Sequence, residues 1–480
     1  MADKKDLSEA QSYSRRRLVT AFTSGIPSGV ELTPKKNQTP VIVGVGLALI
    51  AILVSVFYGI MSPSLPAGWE NNKLIVAKDS AARYVSVNGT LHPVINAISA
   101  RLLIPSSDFD VITVKDDQLA GKPIGSTIGI LGAPDALPAK DQLAAGSITS
   151  CADGPVDNLI SGSTIPALDE RQAIVATVDG DDYLIAGSTH YRLPKQSIIR
   201  DSFLRALGVP QTNTIHASAQ WLNLFRSGDP IDIITVPGEG DTVTVRGTTL
   251  TVGGVITQQG DASGARYLVL EDGSVTALDD LAYNLYVVGK PETLAKPRTV
   301  GTADFQQLKN ASAGVIPSDW PTSALRPVDH GATMCATFPL ASGSGTLGSR
   351  VRLAVAPQSL KSDGDAGTTG SDTKQSDGPG LDETPTVTTR VTGGTGALVR
   401  ASIGDSGKGT VFAIDSTGTA YPIPNATEEI LNRLGYTGKD VHAIPRAWVD
   451  VFPTGVQLTP AAAGDAPNPQ AVIDQTGGTR

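Results

Sequence analysis

From Val41 to Ile60 the chain reads VIVGVGLALIAILVSVFYGI, about 20 residues without a charge. At about 1.5 Å rise per residue such a helix just crosses a hydrocarbon core of about 30 Å. A buried core helix would carry a polar face, and this run has none. A secretory signal has an apolar stretch of roughly 7–15 residues behind a short basic start. Here the stretch is longer, and Pro27, Pro34, Lys35 and Lys36 separate it from the twin-arginine-like Ser14-Arg15-Arg16-Arg17-Leu18. The run therefore reads as an uncleaved single-pass anchor.

Its flanks differ in charge. Lys4, Lys5, Arg15, Arg16, Arg17, Lys35 and Lys36 outweigh Asp3, Asp6, Glu9 and Glu31, although the whole chain carries −9. Basic residues on the short flank predict a cytoplasmic N-terminus and an extracytoplasmic, periplasmic region after about residue 63, with Trp69 at the outer interface. Leu7, Gln11, Leu18, Val19 and Phe22 recur at near-helical spacing around the arginines, which fits an amphipathic helix on anionic lipid or a partner, or a solvated tail.

The 480 residues suffice for two to four compact units. A hydrophobic content of 40% excludes a polytopic membrane protein and a wholly disordered chain. The acidic balance argues against a nucleic-acid partner, because phosphate backbones call for clustered positive charge.

After the span, one syntax returns four times: an aromatic or apolar strand, a Gly-containing turn, a second short strand and an amphipathic helix. The first copy runs Tyr84-Val85-Ser86-Val87, Asn88-Gly89, Thr90-Leu91-His92-Pro93, then Val94, Ile95, Ile98 and Leu102. Asn-Gly between such runs marks a hairpin, since both residues tolerate positive φ. The second runs from Tyr183 through Gly187 to Pro194, with Ile198, Ile199, Phe203 and Leu207 on one helix face. The third starts at Tyr267 and passes Gly273 to Leu278, Leu281 and Leu285. The fourth runs from Val411 through Gly418 and Pro422 to a capping box at Asn425 and Glu428.

Trp221, Phe225 and Gly228 have the spacing of Trp448, Phe452 and Gly455. The two tryptophans and two phenylalanines are expected to be repeat-core anchors rather than a ligand cage. Each unit is too small to bury its own core comfortably, so the copies are expected to pack on one another or on a central body.

The Val-, Ile-, Thr- and Gly-rich segments at 138–178, 242–257 and 328–355 read as β structure of that central domain. Residues 359–385 are nearly devoid of apolar side chains and read as a disordered insertion. Cys151 and Cys335 lie outside the repeats in the region expected to be exported, where two such thiols are expected to form a structural disulfide.

Taken together, Tyr13-Ser14-Arg15-Arg16-Arg17-Leu18, the single span, the stretch from Leu91 to Leu102, Gly129-Ile130-Leu131-Gly132-Ala133-Pro134-Asp135, Val391-Thr392-Gly393-Gly394 and Tyr421-Pro422-Ile423-Pro424 resemble the EccB family. That family is the bitopic membrane component of the ESX, or type VII, secretion machinery. The long acidic insertion before Thr386 and the short N-terminal stub depart from its pattern. The resemblance implies a subunit of an inner-membrane complex with EccC-, EccD- and EccE-like partners, in which the EccC-like subunit supplies the motor ATPase. It also implies four repeats around a central domain closed by one disulfide, and self-association at the periplasmic face.

Members of that family are often labelled ATPases, so the residues must be asked for a nucleotide site. A phosphate-binding loop needs G-x-x-x-x-G-K-[ST] between a strand and a helix. The nearest approach contains Gly404, Gly407, Lys408 and Thr410, but Ser402 stands where the first Gly belongs and Gly409 displaces the hydroxyl residue. The same loop imitates the Gly-Asp-Ser-Gly of serine proteases, yet none of His92, His190, His216, His330 and His442 has the small-residue context of a protease base. No paired metal-ligand spacing occurs.

The sequence thus leads to an α+β fold: one N-terminal transmembrane helix and an elongated exported region of four hairpin-helix repeats around a β-rich central domain. The expected divisions are a cytoplasmic segment 1–40, the span 41–61, repeat 1 at 70–130 and a first central-domain segment at 135–178. Repeat 2 follows at 180–235, repeat 3 at 240–305, a second central-domain segment at 306–400, repeat 4 at 405–462 and a flexible tail at 463–480. The function expected is a structural subunit without catalysis, cofactor or metal. An extracytoplasmic ATPase and a peptidoglycan-binding module with exposed Tyr84, Tyr183 and Tyr267 are the alternatives.

Overall fold

The computed structural model describes residues 4–24, 39–61, 65–152, 158–161, 164–210, 214–311, 314–329, 331–340, 346–356, 389–391, 395–404 and 406–467. The expected insertion at 359–385, His330 and most of the tail lie outside these residues. The chain divides into two compact units, residues 1–65 and 66–480.

The first unit is helical. Lys4–Ser24 forms one helix, on which Leu7, Leu18, Val19 and Phe22 are exposed. Thr39–Met61 forms the other, and among the described helices it alone is long and apolar enough to cross a membrane.

In the second unit the repeat is larger than a hairpin and a helix. Each copy holds four strands in the order 3-2-1-4, with three antiparallel strands, a helix, and a fourth strand returning parallel to the first; in copy 2 Arg226–Ser227 and Arg326–Pro327 extend the sheet to six strands. In copy 1 these are Leu74–Ala77, Arg83–Val87, Thr90–Pro93, the helix Ala97–Leu103 and Val111–Val114. Asn88 and Gly89 close its hairpin at φ 49° and 74°, the left-handed pair that a two-residue turn demands.

Copy 2 comprises Gln172–Val178, Asp181–Ala186, Thr189–Arg192, the helix Ser197–Ala206 and Thr214–His216. Copy 3 comprises Val255–Gln258, Arg266–Val269, Val275–Leu278, the helix Asp280–Tyr286 and Arg298–Val300. Copy 4 comprises Ala397–Ser402, Gly409–Ile414, Ala420–Ile423, the helix Glu428–Leu434 and His442–Pro445. After the fourth strand each chain makes a short helical turn and runs back parallel to strand three, pairing at Leu91, Thr189, Val275 and Ala420.

These sheets correct the sequence reading in several places. Gln172–Val178 and most of Ala397–Ser402, expected in the central domain, open copies 2 and 4, and Val255–Gln258, read both as central-domain β structure and within repeat 3, opens copy 3. Thr242–Val245 and Thr248–Thr251 form a separate hairpin. The helix of copy 4 is capped by Thr427, whose hydroxyl accepts from the Ile430 amide, while Asn425 sits in the preceding turn at φ 51°. Ile198 points outward, 77% exposed, and the buried helix face of copy 2 is built by Phe203, Leu204 and Leu207. Trp69 is buried beneath Lys122 in copy 1, so its ring is not free for a lipid interface.

A fifth sheet stands apart from the copies. Its order is Arg352–Val355, Met334–Pro339, Ser147–Cys151, Asn158–Ser161 and Thr389–Val391, antiparallel except for the last pair. The helices of copies 1 and 4 share a core around Leu102, Ile98, Leu431 and Leu434. Those of copies 2 and 3 share another around Phe203, Leu207, Leu285 and Tyr286. The copies therefore associate in two pairs, each through corresponding helices.

Candidate functional site: a disulfide-closed sheet clamped by two repeats

Successive residues of a strand point to opposite faces, so the fifth sheet has two unlike surfaces. Ile148, Ala152, Met334, Ala336, Phe338 and Leu353 form the apolar one and join a single core with copies 2 and 4. Ser147, Thr149, Cys151, Cys335 and Thr337 form the other. There Cys151 and Cys335 face each other across neighbouring strands and are bonded, with Cα atoms 3.9 Å apart. Ala152 donates to Met334 one position on, which makes the cysteines a non-hydrogen-bonded pair, the closer kind in an antiparallel ladder. Thr149 donates to the Thr337 hydroxyl at 3.1 Å on the same face.

The anchors enter from the apolar side. Trp221 and Trp448 are 1% and 0% exposed, and Phe225 and Phe452 are both 3% exposed. Trp221 Nε1 donates to the Ser150 carbonyl at 2.9 Å, and its ring meets Phe225 at 5.2 Å between centroids. Trp448 lies 5.7 Å from Phe338 of the central sheet. Asn158 donates to the Val451 carbonyl at 2.8 Å, and Gln220 bridges copies 2 and 4 by donating to the Asp450 carbonyl.

The position seven residues before Gly228 and Gly455, tryptophan in copies 2 and 4, holds Gln118 in copy 1 and Asp304 in copy 3. Polar residues there leave copies 1 and 3 without a wedge for the central sheet. Sequence reasoning matched the two tryptophans; only the aligned strands show what replaces them.

Gly404, Gly407, Lys408 and Thr410 belong to the hairpin connecting Ala397–Ser402 to Gly409–Ile414. The loop feeds a strand, so it presents no helix N-terminus of the kind that cradles phosphate. Gly409 is packed against the facing strand: a Cβ there would meet the Ala401 carbonyl oxygen.

The histidines are scattered. His92 and His190 both lie on third strands but are one position out of register: His92 corresponds to Tyr191, and His190 to Leu91. The reason is the hairpin register, which pairs Val87 with Thr90 and Ala186 with Thr189. Burial holds His190 and His442 below the ordinary imidazole range, with a backbone hydrogen bond at Leu340 partly opposing this for His442. Among the described residues no group of His, Cys, Asp and Glu is placed to hold a metal ion.

The strand-start aromatics are Tyr84, Tyr183, Tyr267 and, by register, Phe412. The tyrosines are half-buried and Phe412 is buried, with Tyr183 edge-on to His190 and Tyr267 edge-on to Phe305. They are packing elements, not an open platform for sugar rings.

A scaffold of four repeats paired through their helices, with a disulfide-closed central sheet, in a chain whose separate N-terminal unit holds one apolar helix, is the class of protein these features define. A family model described as "Type VII secretion system ESX-1, transport TM domain B" matches residues 2–467, and the chain belongs to this EccB family.

Among similar proteins, ESX-5 secretion system ATPase EccB5 of Mycobacterium tuberculosis is 28% identical over 58% of this chain and 59% of its own length. ESX-3 secretion system ATPase EccB3 of Mycolicibacterium smegmatis is 36% identical over 23% of each chain. The chain thus spans about three-fifths of the length of the first of these curated relatives. In fold it is similar to a chain of an intact ESX-5 inner membrane complex, with TM-score 0.60 and 21% identity over 98% of this chain and 96% of that one. It is also similar to the EccB3 dimer from the ESX-3 core complex, with TM-score 0.61 and 20% identity over 82% of this chain and 100% of that one.

Proposed function

We propose that this chain is a structural subunit of a type VII secretion inner-membrane complex, anchored by the Thr39–Met61 helix, whose repeat body mediates assembly at the periplasmic face. The observation that carries this reading is the family match along residues 2–467, together with a fold similar to that in a periplasmic assembly of the ESX-5 inner membrane complex. The basic N-terminal flank supports a cytoplasmic N-terminus. EccC-, EccD- and EccE-like subunits and a second copy of this chain are the partners. The Arg15–Arg17 segment contacts the cytoplasmic subunits; a purified complex unchanged by deletion of residues 1–40 would count against that contact.

The names of the relatives favour a second reading, ATP hydrolysis. Against it stands the strand-to-strand setting of the Lys408 loop. Full-length protein in detergent, sized by light scattering and assayed for ATP turnover beside Lys408→Ala, separates the two. Self-association with turnover equal to the variant supports the scaffold; turnover abolished by the substitution overturns it.

A further inference from the structure

At about 100° per residue, Leu7, Ala10, Ser14, Leu18, Ala21 and Phe22 fall on one side of the Lys4–Ser24 helix, in a strip about 120° wide that also takes Gln11. Lys4 and Arg15 rim the strip along one edge and Arg17 along the other, with Asp6 just beyond it. Glu9, Arg16 and Thr23 face the opposite way. Nothing among the described residues covers the strip: Leu7 is 65%, Leu18 59% and Phe22 86% exposed.

Two further facts narrow what the strip can meet. The helix carries Lys4, Lys5, Arg15, Arg16 and Arg17 against only Asp6 and Glu9, so its surface is basic. Its C-terminal end is joined to the apolar helix Thr39–Met61 through residues 25–38, which span at most about 50 Å when fully extended. Once Thr39–Met61 is anchored in a bilayer, contact between the strip and the lipid surface becomes an intramolecular event, and a helix with only three large apolar side chains can hold to a surface that it would leave if it were free.

We propose that the Lys4–Ser24 helix lies in the surface of an anionic bilayer, with Leu7, Leu18 and Phe22 among the acyl chains and Lys4, Arg15 and Arg17 on phospholipid phosphates along both flanks. The inference rests on the membrane anchor proposed above. Long basic side chains lay their methylene stems on apolar surface and carry their charged heads out to the phosphates, which is the use that cations at the two edges of an apolar strip fit. An anionic bilayer presents phosphates on both sides of a helix embedded in it, whereas a protein groove would have to place acidic groups on two opposite walls. Arg16, on the far side, is left for the cytoplasmic subunits.

The test is electron paramagnetic resonance on the full-length chain reconstituted in vesicles of equal parts phosphatidylglycerol and phosphatidylcholine. A nitroxide is attached at Ala21→Cys, inside the strip, or at Thr23→Cys, opposite it; Cys151 and Cys335 are bonded to each other and take no label. The ratio of oxygen to nickel-chelate accessibility should be at least threefold higher at the first site than at the second. That difference should shrink in vesicles of phosphatidylcholine alone, on raising salt from 50 to 300 mM, and in an Arg15→Gln, Arg17→Gln double variant. Equal ratios at the two sites, or a difference indifferent to lipid charge, salt and the double variant, overturns the proposal. So does a difference that appears only after cytoplasmic subunits are added, which assigns the strip to a protein. Release of the chain from the vesicles by carbonate would overturn the anchor and this inference with it, whereas a chain that stays in the membrane with both labels in water overturns this inference alone.

Discussion

Gly455 lies flat against the ring of Tyr421: a Cβ at that position would come within 2.4 Å of Tyr421 Cδ1. The arrangement recurs at Gly228 with Tyr191 and at Gly125 with His92, in each case beside an amide donating to the residue before the ring. In copy 3 the corresponding amide belongs to Ala311, which donates to Val275, and the ring position is Thr276. Where the ring is gone, the glycine is gone too. Gly455→Ala should therefore cost about 1–3 kcal/mol by overpacking, measured by denaturant unfolding. In a cycle with Tyr421→Thr the alanine should cost less by at least about 0.5 kcal/mol; additive effects would mean that the ring is not what excludes the side chain.

The two tryptophan anchors differ in one hydrogen bond. Either Trp→Ala should cost about 3–5 kcal/mol, since both rings are buried in the shared core. Trp221→Phe also loses the bond to Ser150, whereas Trp448 Nε1 has no partner among the described residues. Trp448→Phe should accordingly be the milder change by about 1 kcal/mol, and equal unfolding midpoints would contradict the assignment.

The Cys151–Cys335 bond closes a loop with a sequence separation of 184 residues that contains copies 2 and 3. Chain-entropy scaling puts its stabilisation at up to about 5 kcal/mol. Replacing both cysteines by serine should lower the thermal midpoint by several degrees or more without altering far-UV circular dichroism at 10 °C. Because both cysteines are buried, reductant alone should act on the native protein only slowly.

Burial depresses the folded-state pKa of His190 and His442, so between pH 7 and 5 the unfolded chain takes up protons that the folded chain refuses. Stability is therefore fully present above about pH 6.5 and is lost as pH falls below it. Carboxylates such as Asp135, held low by its hydrogen bond from Arg83, act only below about pH 4 and do not confuse the window. His190→Leu, which installs the residue found at the corresponding Leu91, should reduce the fall in melting temperature between pH 7 and 5 without abolishing it, because His442 remains. An unchanged slope would locate the proton uptake elsewhere.

Much of this was legible in the residues. The uncharged run from Val41 gave the apolar helix, Asn88-Gly89 gave a hairpin, and the spacing of Trp221, Phe225 and Gly228 against Trp448, Phe452 and Gly455 gave the kinship of copies 2 and 4. The outer strands of each copy were not legible as members of a repeat. Gln172–Val178 is buried along most of its length, so it carries no period-2 pattern, and its parallel partner Thr214–His216 lies beyond an intervening hairpin and helix. That the Lys408 loop is a turn leading into a strand was legible as well; that Gly409 packs against the Ala401 carbonyl of the facing strand was not.

Local chemistry, then, determined by sequence alone which segments turn, which are helical and which one is too apolar for water, because turn dihedrals and hydrophobic periodicity act between near neighbours. Which copies pair and which face of the central sheet receives the tryptophans were decided only by tertiary structure. Those outcomes depend on shape and on contacts between residues far apart in the chain, and no local pattern encodes them.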